Sequence, residues 1–337
     1  MGNVRTLTII LGLSISAQAC TPDAGEPVAE AIAEIEGGRL DLHDTGVVGV
    51  ALVDALGYPR RTCTGTLLAP NLVLTAQHCI ASTSPYVDCS KSVFGPPVGA
   101  ERVRITASPS MWSDEVTWER AAQVITPPGS DGVCGRDVAL IVLESPTSEA
   151  ASPLVPRLDD TVLPDEPYAA VGYGRSSGDA EDGGLRRRRD ELRVVCVGDD
   201  CGSRQVDDGE WRGDHGICNG DSGGPALDAD GSVIGVTSRG PAGCERPIYG
   251  AIAPHGRWLR QEARLAAQMG AYPEPPWVGK AQRRSVQGRT SGFTGACSAS
   301  PGPARGAGVW AASLLVAALA ARARTRRRRA CFRRASQ

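Results

Sequence analysis

The chain has 337 residues, 41% hydrophobic and 22% charged, which is the balance of a globular protein rather than a disordered one. Its net charge of -2 hides an asymmetry: 13 basic and no acidic residues from Lys280 onward, against 23 basic and 38 acidic residues before it. So acidic a body lacks the basic face that phosphates require, which excludes nucleic acid as a partner.

In chain order, Arg5 is followed by an apolar run from Leu7 to Ile15 and then by Ala17-Gln18-Ala19 before Cys20. Residues 1–19 are therefore expected to be a signal peptide with an A-x-A cleavage site, too short to span a membrane stably. Cys20 at that point leaves two readings open, simple secretion and lipid attachment. Residues 20–34, acidic and Ala-rich with prolines, are a spacer or propeptide. Short apolar runs split by turn residues follow: Val47–Val53, Thr66–Leu68, Leu72–Thr75, Val138–Leu143, Tyr168–Tyr173, Leu192–Val197, Val233–Thr237 and Ile248–Ile252. This spacing, with 41 glycines, predicts an all-β barrel or sandwich.

One helix is expected over Trp258–Met269, ended by Pro273, Pro275 and Pro276. Residues 271–307 are then a linker. An apolar segment, 308–322, is expected to span the membrane or act as a sorting segment, with a basic cytoplasmic tail, 323–337, held inside by its arginines. The layout, with Cys297 before it, resembles the C-terminal sorting segments of myxobacterial surface proteins. Two loops stand out. Ser176–Gly184 is Gly/Asp-rich and expected to be mobile, and Arg186–Arg189 is expected to be a solvated loop.

Of 11 cysteines, eight (63, 79, 89, 134, 196, 201, 218 and 244) lie in one stretch, which in an exported chain points to disulfides. With no C-x-x-C pair and four His, neither a metal site nor a cofactor is expected.

Three short strings carry the chemistry: Leu74-Thr75-Ala76-Gln77-His78-Cys79, Arg136-Asp137-Val138-Ala139-Leu140 and Gly220-Asp221-Ser222-Gly223-Gly224-Pro225. Alone, a His is usually structural and an Asp before an apolar run usually caps a turn. Together, in the order His, Asp, Ser with matching flanks, they resemble the trypsin-like (chymotrypsin-type) serine proteases over residues 35–270. The resemblance implies two six-stranded antiparallel β-barrels with a C-terminal helix. It implies a serine endopeptidase acting on protein or peptide substrates through an acyl-enzyme. Ser222 would be the nucleophile, weak until His78 takes its proton. An imidazole titrates near neutrality and can also return that proton. Asp137 would hold the ring in the useful tautomer. The backbone N–H groups of Gly220 and Ser222 would form the oxyanion hole, where losing one donor costs about 3–4 kcal/mol.

The same resemblance implies a His-loop bridge Cys63–Cys79 and a pocket bridge Cys218–Cys244. Cys196–Cys201 and Cys89–Cys134 are then the remaining pairs, whose connectivity the sequence alone does not fix. Ile35-Glu36-Gly37-Gly38 resembles the family's mature start, so cleavage after Glu34 would send the Ile35 amine to Asp221.

The pocket is expected to involve Gly216, Ile217, Ser238, Arg239 and Gly240. Arg/Lys specificity needs an Asp at position 216, and Asp214 is two positions away. An apolar or small P1 residue is therefore expected. Ser238-Arg239-Gly240 stands where the family usually has Ser-Trp-Gly, so Arg239 removes an aromatic lid. The rival class is a non-catalytic surface binding module on the same fold, and a third is an esterase with the same machinery. Export to a bacterial surface, the outer membrane or the medium is expected, with a membrane link through the C-terminal segment or a lipid on Cys20.

Overall fold

The computed structural model describes residues 26–27, 38–129, 131–147, 151–175, 182–203, 205–217, 219–240 and 245–279. The expected signal peptide, Cys20, Ile35, Cys218, Cys244 and everything beyond residue 279 lie outside them, as does most of the 176–184 loop.

Six strands form barrel one: β1 (Val47–Val53), β2 (Pro59–Ala69), β3 (Leu72–Thr75), β4 (Val103–Thr106), β5 (Glu119–Ile125) and β6 (Ala139–Leu143). They close in the order β1-β2-β3-β6-β5-β4. Six more form barrel two: β7 (Pro167–Gly172), β8 (Arg187–Val197), β9 (Glu210–Gly213), β10 (Pro225–Leu227), β11 (Val233–Arg239) and β12 (Ile248–Ala251). Their order is β7-β10-β11-β12-β9-β8, and pairing of β7 with β8 closes the ring. Read the other way round, that is the cyclic order of barrel one, a repeat carried by topology. Closure leaves little free edge for another chain to pair with. Residues Arg39–Leu40 add to the outside of β8.

The cores follow from composition. Barrel one is filled by aliphatic side chains such as Val50, Leu67, Leu74, Ile105, Leu140 and Ile141, all at most 1% exposed. Barrel two spends the scarce aromatics. Trp211 stacks on Tyr249 with centroids 4.0 Å apart, and Tyr168 stands edge-on to both. Offset and edge contacts of this kind add about 0.5–1.5 kcal/mol beyond area burial.

The single α-helix among the described residues, α1 (Gly256–Gly270), follows barrel two but returns to barrel one. Leu259, Ala263 and Ala266 on one face join barrel one's core. Ala271 takes the left-handed conformation that ends the helix, and the prolines follow. None of the described helices is long and apolar enough to cross a membrane.

Two expectations change here. The start of the expected linker is part of the domain: Trp277 and Val278 are buried with barrel one's core, and the Trp277 indole donates to the Leu68 carbonyl. The Arg186–Arg189 run is not a solvated loop. Arg187–Arg189 begin β8, and Arg186 is 1% exposed between the barrels. Its guanidinium donates to the carbonyls of Val47 and Ala107 and pairs with Asp41. Arg187 and Arg188 pair with Asp182, and with Asp44 and Asp190. Acceptors supplied by separate segments, rather than water, compensate this cluster of charge.

Candidate active site

Strands β3 and β6 are antiparallel neighbours, with Thr75 opposite Ala139. Three residues past Thr75, a 3-10 turn (Gln77–Cys79) carries His78, and two residues before Ala139 stands Asp137. The register therefore delivers both side chains to one end of barrel one. His78 Nδ1 lies 2.7 Å from Asp137 Oδ2, and the His78 backbone N–H donates to Asp137 Oδ1 at 2.9 Å. A carboxylate can only accept, so the ring proton sits on Nδ1 and Nε2 is left to act as a base.

Asp137 is 1% exposed. Burial alone would push its carboxyl up. The charge and hydrogen bond of His78, with a hydrogen bond from the Ser238 hydroxyl at 2.6 Å, outweigh that and hold it below the usual carboxylate range.

Ser222 comes from barrel two, in the turn before β10. Gly220 has φ +100° and Gly223 φ +84°, conformations that favour glycine. A side chain at Gly223 would also strike the Thr64 carbonyl at 2.3 Å. The turn is pinned to barrel one by Thr64 on β2. Its N–H donates to the Ser222 carbonyl and its hydroxyl to the Gly220 carbonyl, both at 2.8 Å. The same hydroxyl accepts the Tyr173 N–H, and the Thr64 carbonyl accepts the Thr75 hydroxyl. The sequence reading missed Thr64, which carries no local motif.

Asp221 is buried beside Ser222 and accepts the Gly174 N–H at 2.9 Å. Only glycine fits at 172, since a Cβ there would meet Asp221 Oδ1 at 2.1 Å. The bridges Cys63–Cys79, Cys89–Cys134 and Cys196–Cys201 are present. Cys63–Cys79 ties the His78 turn to β2.

The residues expected in the pocket divide. Gly216 (φ +97°) and the buried Ile217 lead toward the Ser222 turn, and Gly240 follows β11. The Ser238 hydroxyl instead serves Asp137. Arg239, expected among the pocket residues, is buried. Its side chain is 3% exposed and grips Glu210 through two nitrogens, at 2.6 and 2.7 Å. A cation this far inside needs such a partner. The sequence reading passed over Glu210, which stands beside Trp211 and Arg212 in a short strand with no apolar run to mark it as buried.

A histidine held by a buried carboxylate on one barrel, and a serine in a glycine-formed turn on the other, have the layout of a serine hydrolase of the two-barrel, chymotrypsin-like class. The family model described as Trypsin matches residues 48–259. The chain is 31% identical to a trypsin of Saccharopolyspora erythraea over 235 residues, covering 65% of this chain and 93% of that protein. It is 25% identical to kallikrein 1-related peptidase b11 of Mus musculus over 227 residues, covering 60% and 80%. Neuropsin, a serine protease expressed in the limbic system of mouse brain, shares the fold with a TM-score of 0.52 at 20% identity, over 68% of this chain and 99% of that one. The chain belongs to the trypsin family and is a serine endopeptidase.

Proposed function

We propose that the enzyme cleaves peptide bonds through Ser222, with His78 as general base and then acid and Asp137 as its orienting carboxylate. The carrying observation is the two-point contact of Asp137 with the ring and backbone of His78. Ser222 Oγ attacks the scissile carbonyl as its proton passes to His78 Nε2. The tetrahedral oxyanion faces the N–H groups of Gly220 and Ser222. The His78 proton then goes to the leaving amine, and water repeats the sequence on the acyl-enzyme. The φ of +100° at Gly220 supports this use of the turn.

The substrate is a protein or peptide with an apolar or small P1 residue, not Arg or Lys. Gly216 carries no carboxylate, and the place its Cβ would take is bordered by Arg189 Cδ at 2.9 Å and Nε at 3.3 Å. The enzyme is exported, a reading supported by its three described disulfides. Activation by an Ile35 ammonium is consistent with a buried acid at Asp221.

Covalent labelling by a fluorophosphonate tests the core of this reading. We expect stoichiometric labelling that Ser222→Ala and His78→Ala abolish. Labelling that survives Ser222→Ala overturns it, and absence of labelling favours the non-catalytic binding module. A peptide-library profile tests the P1 assignment, which cleavage after Arg or Lys would refute.

A further inference from the structure

We infer that Glu210 and Arg239 together form a positioning device for Asp137, built into barrel two and acting on it from two sides. The inference rests on the reading of Asp137 as the carboxylate that orients His78.

The first side is the Ser238 hydroxyl. Arg239 Nη1 donates to Ser238 Oγ at 3.1 Å, and Ser238 Oγ lies 2.6 Å from Asp137 Oδ2. A hydroxyl has one proton. A guanidinium can only donate, so its approach fixes Ser238 as acceptor toward Arg239 and as donor toward Asp137. Charge on the first donor polarises the second bond in the same direction. An uncharged aromatic residue, usual at this position in the family, leaves that hydroxyl without a cationic donor.

The second side is the backbone that carries Asp137. Glu210 Oε1 accepts the Gly135 N–H at 2.9 Å while it also accepts Arg239 Nη1. Oε2 accepts the Asp207 N–H at 3.0 Å and Arg239 Nη2 at 2.7 Å. Gly135 sits two residues before Asp137 with φ +72°, and a Cβ there would meet Asp207 Oδ1 at 2.6 Å. One buried carboxylate on β9 therefore holds the Asp137 loop of barrel one against the loop before β9. Arg239 Nη2 completes the arrangement on the Gln205 carbonyl. Both acidic oxygens and both guanidinium nitrogens are engaged, the condition under which a buried pair can hold a geometry.

The other charged or titratable groups around Asp137 come from several elements. They are His78 on its turn, Arg61 on β2 bonded to the His78 carbonyl, Arg136 in the Asp137 loop, Asp207 before β9, and His255, whose Nε2 is 3.2 Å from the Gly135 carbonyl. None is altered in the variants below, so differences among those variants belong to residues 210 and 239.

The experiment measures the second-order rate of fluorophosphonate labelling across pH 4–9 for the parent, Glu210→Gln, Arg239→Gln and the double variant E210Q/R239Q, with a melting curve for each. Glu210→Gln leaves an uncompensated cation near the His78–Asp137 pair, so its acid limb moves to lower pH. Arg239→Gln leaves an uncompensated anion, so its limb moves to higher pH. Each shift is expected to be about half a pH unit or more, as a unit charge within ~10 Å gives in a buried setting. The double variant removes both charges, which guards against misfolding of either single variant. Its limb returns toward the parent's, but its plateau rate falls about tenfold or more because the positioning is lost.

Limbs that move in opposite directions, with a slowed double variant, support the inference. Lowered melting temperatures with unmoved limbs and a double-variant plateau within twofold of the parent overturn it and leave a purely structural ion pair. A parent that does not label even when its chain starts at Ile35 overturns the underlying reading of the site, which separates the two failures.

Discussion

The Thr64 hydroxyl on β2 donates to the carbonyl of Gly220, 156 residues further along the chain, at 2.8 Å. It is one of two bonds by which a residue of barrel one fixes the turn that carries Ser222 on barrel two. The other, from the Thr64 N–H to the Ser222 carbonyl, depends only on the backbone. Thr64→Val keeps the shape and the backbone bond. It strips the hydroxyl, leaving the Gly220 carbonyl without its donor and the Tyr173 N–H without its acceptor. We expect a stability loss of about 1–3 kcal/mol by urea denaturation, together with slower fluorophosphonate labelling. Thr64→Ser should restore both. Full labelling in Thr64→Val would mean that the turn holds its shape without the Thr64 hydroxyl.

Asp137 gives a pH dependence with a definite sign. Its carboxyl is held below its ordinary value in the folded protein, with the His78 and Ser238 interactions overcoming the opposing effect of burial. A depressed folded value contributes stability above the unfolded pKa of about 3.9, and this is lost as pH falls through the folded value. Asp137→Asn should therefore be less stable than the parent near neutrality, and the gap should close below about pH 4. Denaturant melts at several pH values check this; a gap independent of pH contradicts it. Activity should fall far more than stability, by about 10⁴-fold in kcat as in other triads with this change.

How much of this the sequence disclosed depends on whether a residue's partner is local. Val47–Val53 and Leu72–Thr75 are short uninterrupted apolar runs, and they coincide with β1 and β3. Strand β5 hides its pattern, because only Ala121 among its seven residues is fully buried. Strand β9 begins with Glu210, which reads as surface until Arg239 is placed against it. The same distinction governs the site. His78, Asp137 and Ser222 sit in recognisable strings. Thr64 looks like any strand threonine, and Arg239 was expected among the pocket residues because a sequence does not tell which way β11 points its charge.

The disulfides should differ in worth according to the loops they close. Cys89–Cys134 spans 45 residues, Cys63–Cys79 spans 16 and Cys196–Cys201 spans 5. Loop entropy in the unfolded chain then gives about 4, 3 and 2 kcal/mol respectively. Paired Cys→Ala variants should lose stability in that order by denaturant melting. Loss of Cys63–Cys79 should also slow labelling, because that bridge anchors the turn that holds His78. Loss of Cys196–Cys201 should leave labelling within about twofold of the parent. An inverted order would show that folded-state packing around Arg239 and Cys134, 3.3 Å apart at Nη2 and Sγ, outweighs the entropy of the open chain.

The segment after α1 gives the last test. A linker has no reason to be buried, yet Trp277 is 5% exposed and Val278 2%. The Trp277 indole N–H reaches the Leu68 carbonyl at 3.3 Å, and the Tyr272 hydroxyl donates to Asn71 Oδ1 at 2.5 Å. Asn71 in turn donates to the Ala266 carbonyl near the end of α1, so one side chain joins the helix, the segment and barrel one. Trp277→Ala should cost about 3–5 kcal/mol, as other large buried aromatics do. For a domain of this size that lowers the melting temperature by roughly 6–20 °C. A chain ended after residue 279 should melt well above one ended after residue 270. Equal melting temperatures for those two truncations would return residues 271–279 to the linker. Labelling should persist in Trp277→Ala below its melting temperature, because Trp277 contacts barrel one away from the turns that carry His78 and Ser222.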